Sequence, residues 1–152
     1  MINAIIIDDE PAARASLALE IKLHCPGIRI IAEAGSVVEG IEVIQSNRLA
    51  DLLFLDIQLT DGSGFEILQN IDFQNYKIIF TTAHSEYALR AIKFSPLDYL
   101  LKPIDAEELK AAVEKVLQSR QSDFYEQIQR LVQQINPGMA SSRVALATAD
   151  GI

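Results

Sequence analysis

"AIIIDDEP", residues 4–11, decides the fold. The apolar run Ala4–Ile7 is continuous rather than alternating, and it stops at Asp8, Asp9 and Glu10. A short apolar run bounded by polar residues suits a strand covered on both faces, as strands are inside a parallel sheet. Pro11 then sits where a first helical turn accepts it, because the N–H that proline lacks would have no helical partner there. The stretch reads as strand, acidic turn, helix.

The same unit recurs along the chain. "IRIIAEA" (28–34) is more mixed, as an edge strand would be. "LLFL" (52–55) ends in Asp56, "KIIFTT" (77–82) ends in two threonines, and "DYLL" (98–101) ends in Lys102. Helical patterns separate these runs. Ser36 with Glu39, and Asp105 with Glu108, read as capping boxes. Leu109, Ala112, Val113, Val116 and Leu117 form one apolar stripe, and Glu86 and Arg90 form an i,i+4 pair on a fourth helix. Five strands alternating with five helices predict a doubly wound α/β fold with a five-stranded parallel sheet, order 2-1-3-4-5. Ligands then bind beyond the carboxyl ends of the strands, where the order reverses between strands 1 and 3.

Composition bounds the function. The chain has 152 residues, 49% of them hydrophobic, and a formal net charge of -8. A core is affordable, but an acidic chain does not grip a phosphate backbone through its own field. Cys25 is the sole cysteine, so no intrachain disulfide forms; it reads as an inert thiol near a helix end. No apolar run reaches membrane-spanning length and no signal-type segment opens the chain. The expectation is a cytoplasmic protein without membrane association.

The strand ends carry the chemistry. Asp8 and Asp9 follow strand 1, Asp56 follows strand 3, Thr81 and Thr82 close strand 4, and Lys102 follows strand 5. With strands 1 and 3 adjacent, three carboxylates meet in one crevice, faced by an ammonium and a threonine hydroxyl. Such carboxylates repel unless neutralised. An oxygen-only set without a Cys or His cluster suits Mg²⁺ better than zinc. Asp56, placed centrally, can attack phosphorus to give an acyl phosphate. Lys102 then has two anions in turn: Asp56 at rest and a phosphoryl group after modification. Taken singly, Asp8 and Asp9 read as a helix N-cap, Asp56 as a strand-end cap and Lys102 as a surface lysine. Four strand ends bearing a complementary set favour the joint reading.

"IIIDDEP", "LLFLDIQL", "FTTAH" and "DYLLKPI" together resemble the receiver domain of two-component response regulators over about residues 1–120. The resemblance implies a flavodoxin-like receiver fold, with Asp56 as phosphoacceptor and Asp8 and Asp9 as the acidic pair serving Mg²⁺. It implies direct metal binding by Asp9, binding through water by Asp8, and a backbone carbonyl from Gln58. Thr82 is similar to the family's switch hydroxyl, Lys102 to its lysine and Tyr99 to its switch aromatic. His84 falls where the family tunes the lifetime of the acyl phosphate. Thr60 stands where a proline is usual, and Gly62 and Gly64 predict a looser loop after strand 3.

"HSEYALRAIKFSPLDYLLKPI" (84–104) is similar to regulators of the LytTR type, whose output domain binds DNA. Phe124, Ile128, Leu131, Val132 and Ile135 form a second helical stripe, Asn136-Pro137-Gly138 ends it, and "RVALATADGI" resembles the first strand of that output domain. The expected division is a receiver over 1–120, a linker helix and loop over 121–142, and the opening strand of a truncated DNA-binding domain over 143–152. The implied partners are a sensor histidine kinase, a second copy on phosphorylation, and DNA only through the missing C-terminal domain. Dimerisation is expected on the surface of the fourth helix, fifth strand and fifth helix. Leu117, Phe124 and Leu131, seven residues apart, suggest a further seam that Arg120 and Gln121 interrupt; a helix packing back on its own domain or on the missing one is the alternative. An aspartate-nucleophile phosphohydrolase is the rival reading, but it wants an acid where Gln58 stands. A receiver-like domain that only binds protein would not need the full acid, hydroxyl and lysine set.

Overall fold

Continuous apolar runs become the buried strands. The computed structural model describes residues 1–135. It orders β1 (Ile2–Ile7), α1 (Pro11–His24), β2 (Ile28–Ala34), α2 (Val37–Ser46) and β3 (Leu52–Leu55). Then follow β4 (Gln58–Leu59), β5 (Gly62–Ser63), α3 (Gly64–Gln69), β6 (Lys77–Thr82), α4 (Ala88–Ala91), β7 (Asp98–Leu101) and α5 (Ala106–Ile135). The main sheet is β2-β1-β3-β6-β7, all parallel. This is the anticipated 2-1-3-4-5 order, with β4 and β5 forming a separate small hairpin. Ile5, Ile7, Leu53, Leu55 and Phe80 belong to the core cluster, packed with Ile44, Ile67 and Phe65 from the helices. β2 lies at one edge with Arg29 and Glu33 exposed, and β7 lies at the other.

Register places the site. Ile7 pairs with Leu55, and Leu55 with Phe80, so the residues just past β1 and β3 stand side by side. Thr82 pairs with Leu101, which sets Lys102 one residue beyond β7.

The caps follow side-chain chemistry. Pro11 opens α1 behind Glu10, whose side chain makes no capping hydrogen bond; neither aspartate acts as the cap. The Ser36 hydroxyl accepts the Glu39 N–H (3.1 Å), while the Glu39 carboxylate accepts from Gly35 N–H (3.0 Å), one residue earlier than a standard box. Asp105 accepts from the N–H groups of Glu107 (3.1 Å) and Glu108 (3.2 Å) at the start of α5.

Two expectations change. The fourth helix is one short turn, Ala88–Ala91, between 3₁₀ turns at Ser85–Tyr87 and Ile92–Phe94. The Glu86–Arg90 pair therefore does not form: Glu86 reaches His84 (3.2 Å), and Arg90 lies over Phe65. The second helix anticipated past residue 120 is instead continuous with α5 through Ile135. Nothing in "QSRQSD" (118–123) breaks a helix, since it holds neither Pro nor Gly.

Two compact units divide the chain at Val116/Leu117. In the first, Leu109, Ala112, Val113 and Val116 of α5 are buried. In the second, Ile128, Leu131 and Val132 are exposed. The stop expected at Asn136-Pro137-Gly138 and the strand expected at 143–152 lie outside the described residues.

Candidate functional site

Backbone ladders fix the site residues before any side chain acts. Asp8 N–H donates to the Ala34 carbonyl (3.1 Å), Asp56 N–H to Ile7 (2.9 Å), and Lys102 N–H to Thr82 (2.8 Å). Each residue thus continues its strand by one step across the sheet top.

Asp8, Asp9 and Asp56 each offer a carboxylate oxygen within 4.8 Å of the others. Asp8 and Asp56 are buried, while Asp9 is partly open. Lys102 Nζ lies 2.6 Å from Asp8 Oδ2 and 2.9 Å from Asp56 Oδ2. The ammonium therefore serves two carboxylates at rest, where the sequence suggested Asp56 alone. Asp8 Oδ1 accepts the Glu10 N–H (2.9 Å), and Arg14 donates to the Asp8 carbonyl (2.6 Å), which holds the acidic turn in place. The Lys102–Pro103 peptide bond is cis.

Electrostatics follows burial. Asp56 is pushed above the ordinary carboxylate value chiefly by loss of water; the Lys102 hydrogen bond and charge oppose this, and neighbouring Asp8 adds to it. For Lys102 burial works downward, but hydrogen bonds to Asp8 and Asp56 and their charges outweigh it, so its pKa is raised. The ammonium stays charged.

Asp56 Oδ1 is buried and accepts no hydrogen bond within the described chain. A buried acceptor without a partner is costly. Together with two more carboxylates at metal-binding separation, it makes an all-oxygen donor set that fits a hard divalent cation such as Mg²⁺.

The remaining anticipated residues are placed as follows. Gln58 lies on the cleft wall, with its amide donating to the Tyr87 hydroxyl (2.9 Å). Thr82 ends β6 but is fully buried, and its hydroxyl accepts the His84 N–H (3.4 Å). Ala83 and His84, rather than Thr82, line the cleft. Tyr99 is half-buried, its hydroxyl donates to the His84 carbonyl, and burial raises its pKa.

Sequence reading missed three features. Gly64 is one: a Cβ there would collide with the Asp56 carbonyl oxygen. The Gly64 N–H also donates to the Ile57 carbonyl (2.7 Å), and Gln58–Leu59 pairs with Gly62–Ser63. The glycines close a tight hairpin instead of loosening the loop, since close backbone approach is what the missing side chain permits. Asp61 is another: its carboxylate accepts from Val37 (2.7 Å) and Val38 (3.2 Å) N–H groups at the start of α2. These bonds, Val37's first, lower its pKa. Nothing local announces a cap 24 residues away. The third is the cleft wall of Phe65, Tyr87 and Arg90.

Comparison with known proteins agrees with this arrangement. The family model "response regulator receiver domain" matches residues 4–114. The chain is 37% identical over 148 residues to an uncharacterized response regulatory protein of Vibrio cholerae, covering 96% of this chain and 61% of that one. It is 39% identical over 115 residues to the sensory transduction protein LytT of Enterococcus faecalis, covering 74% and 47%. The chain thus spans about half to three fifths of the length of these relatives. The receiver domain of AraT, a response regulator from Geobacillus stearothermophilus, superposes with a TM-score of 0.72 at 29% identity, covering 80% of this chain and 96% of that one. The chain belongs to the response regulator receiver domain family, and its relatives include LytTR-type regulators.

Proposed function

We propose that Asp56 accepts a phosphoryl group from the phosphohistidine of a sensor kinase and that the chain thereby acts as a two-component switch. One observation carries this reading: Lys102 bridges Asp8 and Asp56 while the second oxygen of Asp56 is buried without a partner. An Asp56 oxygen forms the new O–P bond as the P–N bond breaks, and the electron pair leaves with the imidazole nitrogen. Phosphoryl transfer asks mainly for positioning and charge neutralisation. Lys102 is fixed to supply charge at a phosphoryl oxygen, and Asp8, Asp9 and the Gln58 carbonyl are the groups to hold Mg²⁺ with Asp56. Mg²⁺, when bound, would neutralise charge on the carboxylates and the phosphoryl oxygens.

Thr82 and Tyr99 are the proposed switch residues. Both bond the segment at His84, one to its N–H and one to its carbonyl. Movement of the Thr82 side chain to donate to a phosphoryl oxygen would draw its hydroxyl away from the His84 N–H and alter that segment. The surface of α4, β7 and α5 would change with it and favour a homodimer. Leu89, Ile92 and Leu101, exposed there, supply apolar area. We assign residues 1–120 to the receiver, 121–142 to a linker that begins within α5, and 143–152 to the start of a DNA-binding domain. In the whole protein, DNA binding and control of transcription would belong to that domain, in the cytoplasm. Among the described residues no helix is long and apolar enough to cross a membrane.

Incubation with acetyl phosphate and Mg²⁺ tests the proposal. Intact mass should rise by one phosphoryl group, base-labile and absent in Asp56→Asn. Many turnovers without stable modification would indicate a phosphohydrolase, and no reaction would refute phosphoacceptance.

A further inference from the structure

The cleft that contains Asp56 and Lys102 measures about 480 Å³, more than one phosphoryl group fills. One wall holds Gln58, Phe65, His84, Tyr87 and Arg90, of which Gln58 and Arg90 are exposed and Phe65 is buried. The Tyr87 hydroxyl accepts from the Gln58 amide (2.9 Å), and the Tyr87 ring packs edgewise on Phe65 at 6.4 Å. The Arg90 guanidinium lies 5.0 Å from the Phe65 centroid and 5.9 Å from that of Tyr87. Stacking on rings covers a face of the guanidinium and leaves the N–H donors around its rim. No carboxylate takes these donors among the described residues, because Glu86, its neighbour one turn back, bonds His84 instead. Arg90 is therefore a held cation on the cleft lip with hydrogen-bonding capacity to spare.

In phosphoryl transfer the leaving group departs opposite the nucleophile. Asp56 is buried, whereas Gln58 and Arg90, which line the same cleft, are exposed, so a group leaving Asp56 for solvent passes toward them. We propose that Arg90, seated on the Phe65–Tyr87 shelf, binds the departing carboxylate of small acyl-phosphate donors and makes the outer cleft a leaving-group site. The inference rests on Asp56 being the phosphoacceptor. An Asp56 oxygen forms a bond to phosphorus, the P–O bond to the acyl oxygen breaks, and its electron pair stays on that oxygen. The product carboxylate carries a full negative charge over two oxygens, the shape and charge a guanidinium fork accepts. No proton, oxidant or reductant enters. An imidazole leaving from phosphohistidine carries no negative charge, so charge complementarity favours the carboxylate.

The test uses the full chain in Mg²⁺ buffer with two donors, acetyl phosphate and phosphoramidate, whose leaving group is uncharged ammonia. Modification rates by intact mass give a ratio between donors, in which any general damage to the site cancels. Arg90→Ala should lower the acetyl phosphate to phosphoramidate ratio by about fivefold, the upper range for a partly screened ion pair. Arg90→Lys keeps the cation and should recover much of the ratio. A ratio unchanged in Arg90→Ala, with both donors slowed equally or not at all, overturns the leaving-group site while the phosphoacceptor stands. Failure of the unaltered chain to gain a phosphoryl group from either donor overturns both.

Discussion

Replacing Lys102 by alanine strikes the site at its one shared cation. Asp8 and Asp56 keep only 5% and 7% of their side-chain surface exposed, and both lie within 2.9 Å of the ammonium. Losing one partner from a fully buried pair costs about 3–5 kcal/mol, because a charge is left uncompensated. Lys102 itself retains 21% exposure, so water already shares part of the load. We expect a loss of about 2–3 kcal/mol near neutral pH without divalent cation, below the fully buried figure for that reason. In a urea titration this moves the midpoint by about 1–2 M for a domain of this size. The sign of the pH dependence is fixed too. Without the ammonium, burial and the neighbouring Asp8 charge act on Asp56 unopposed, so its folded-state pKa stands further above the unfolded value. Stability from such groups is present below the unfolded pKa and lost as pH rises through the folded one. The deficit of Lys102→Ala relative to the unaltered chain should therefore shrink as pH falls through the carboxylate range, and added Mg²⁺ should shrink it at neutral pH. A deficit under about 0.5 kcal/mol, within the ordinary surface range, or one that widens on acidification, would refute the reasoning.

Gly64→Ala should destabilise by about 1–3 kcal/mol in the same titration, because the clashing group is the Asp56 backbone carbonyl and cannot swing aside. Asp61→Ala should lower the unfolding midpoint at pH 7 by leaving the Val37 and Val38 N–H groups of α2 without their acceptor while the Ser36 cap stays; since the folded pKa of Asp61 is depressed, its contribution is present above the unfolded pKa and fades as pH falls through the folded one, so the two proteins should converge in acid. Mg²⁺ at ten times its Kd should stabilise by about 1.4 kcal/mol, visible as a rise of several degrees in Tm, and Asp9→Asn should weaken that response. A Tm indifferent to millimolar Mg²⁺ would count against the metal assignment.

Much of this was legible because the residues concerned signal locally. Ala4–Ile7, Leu52–Leu55 and Ile78–Phe80 announce buried strands by unbroken apolar character, and their alternation with helices points to a parallel doubly wound sheet, whose commonest five-strand order the structure adopts. Once the order is known, register alone brings Asp8, Asp56 and Lys102 together. Ser36 and Asp105 announce helix starts because a capping side chain acts within three residues. What stayed hidden depends on contacts distant in sequence. Asp61 caps a helix 24 residues upstream, Lys102 finds Asp8 as well as Asp56, and Gly64 matters for the carbonyl it abuts. The Glu86–Arg90 pair failed for the opposite reason: helical spacing is only an offer, and an aromatic surface outbid it for Arg90.

The two rims of the sheet also differ in what they would do in a crowded cell. A strand with bare N–H and C=O groups on one side is a template on which another chain can stack, and natural sheets blunt such rims with charge. Along β2, Arg29 and Glu33 stand exposed, and a foreign strand approaching there must strip water from both. Along β7 the one charged side chain, Asp98, is already paired with Lys115 (2.9 Å), and Leu101 at the site end is exposed and uncharged. Adhesion, whether useful or pathological, is thus steered to one side of the molecule, and Leu101→Lys, at an exposed position, should suppress it.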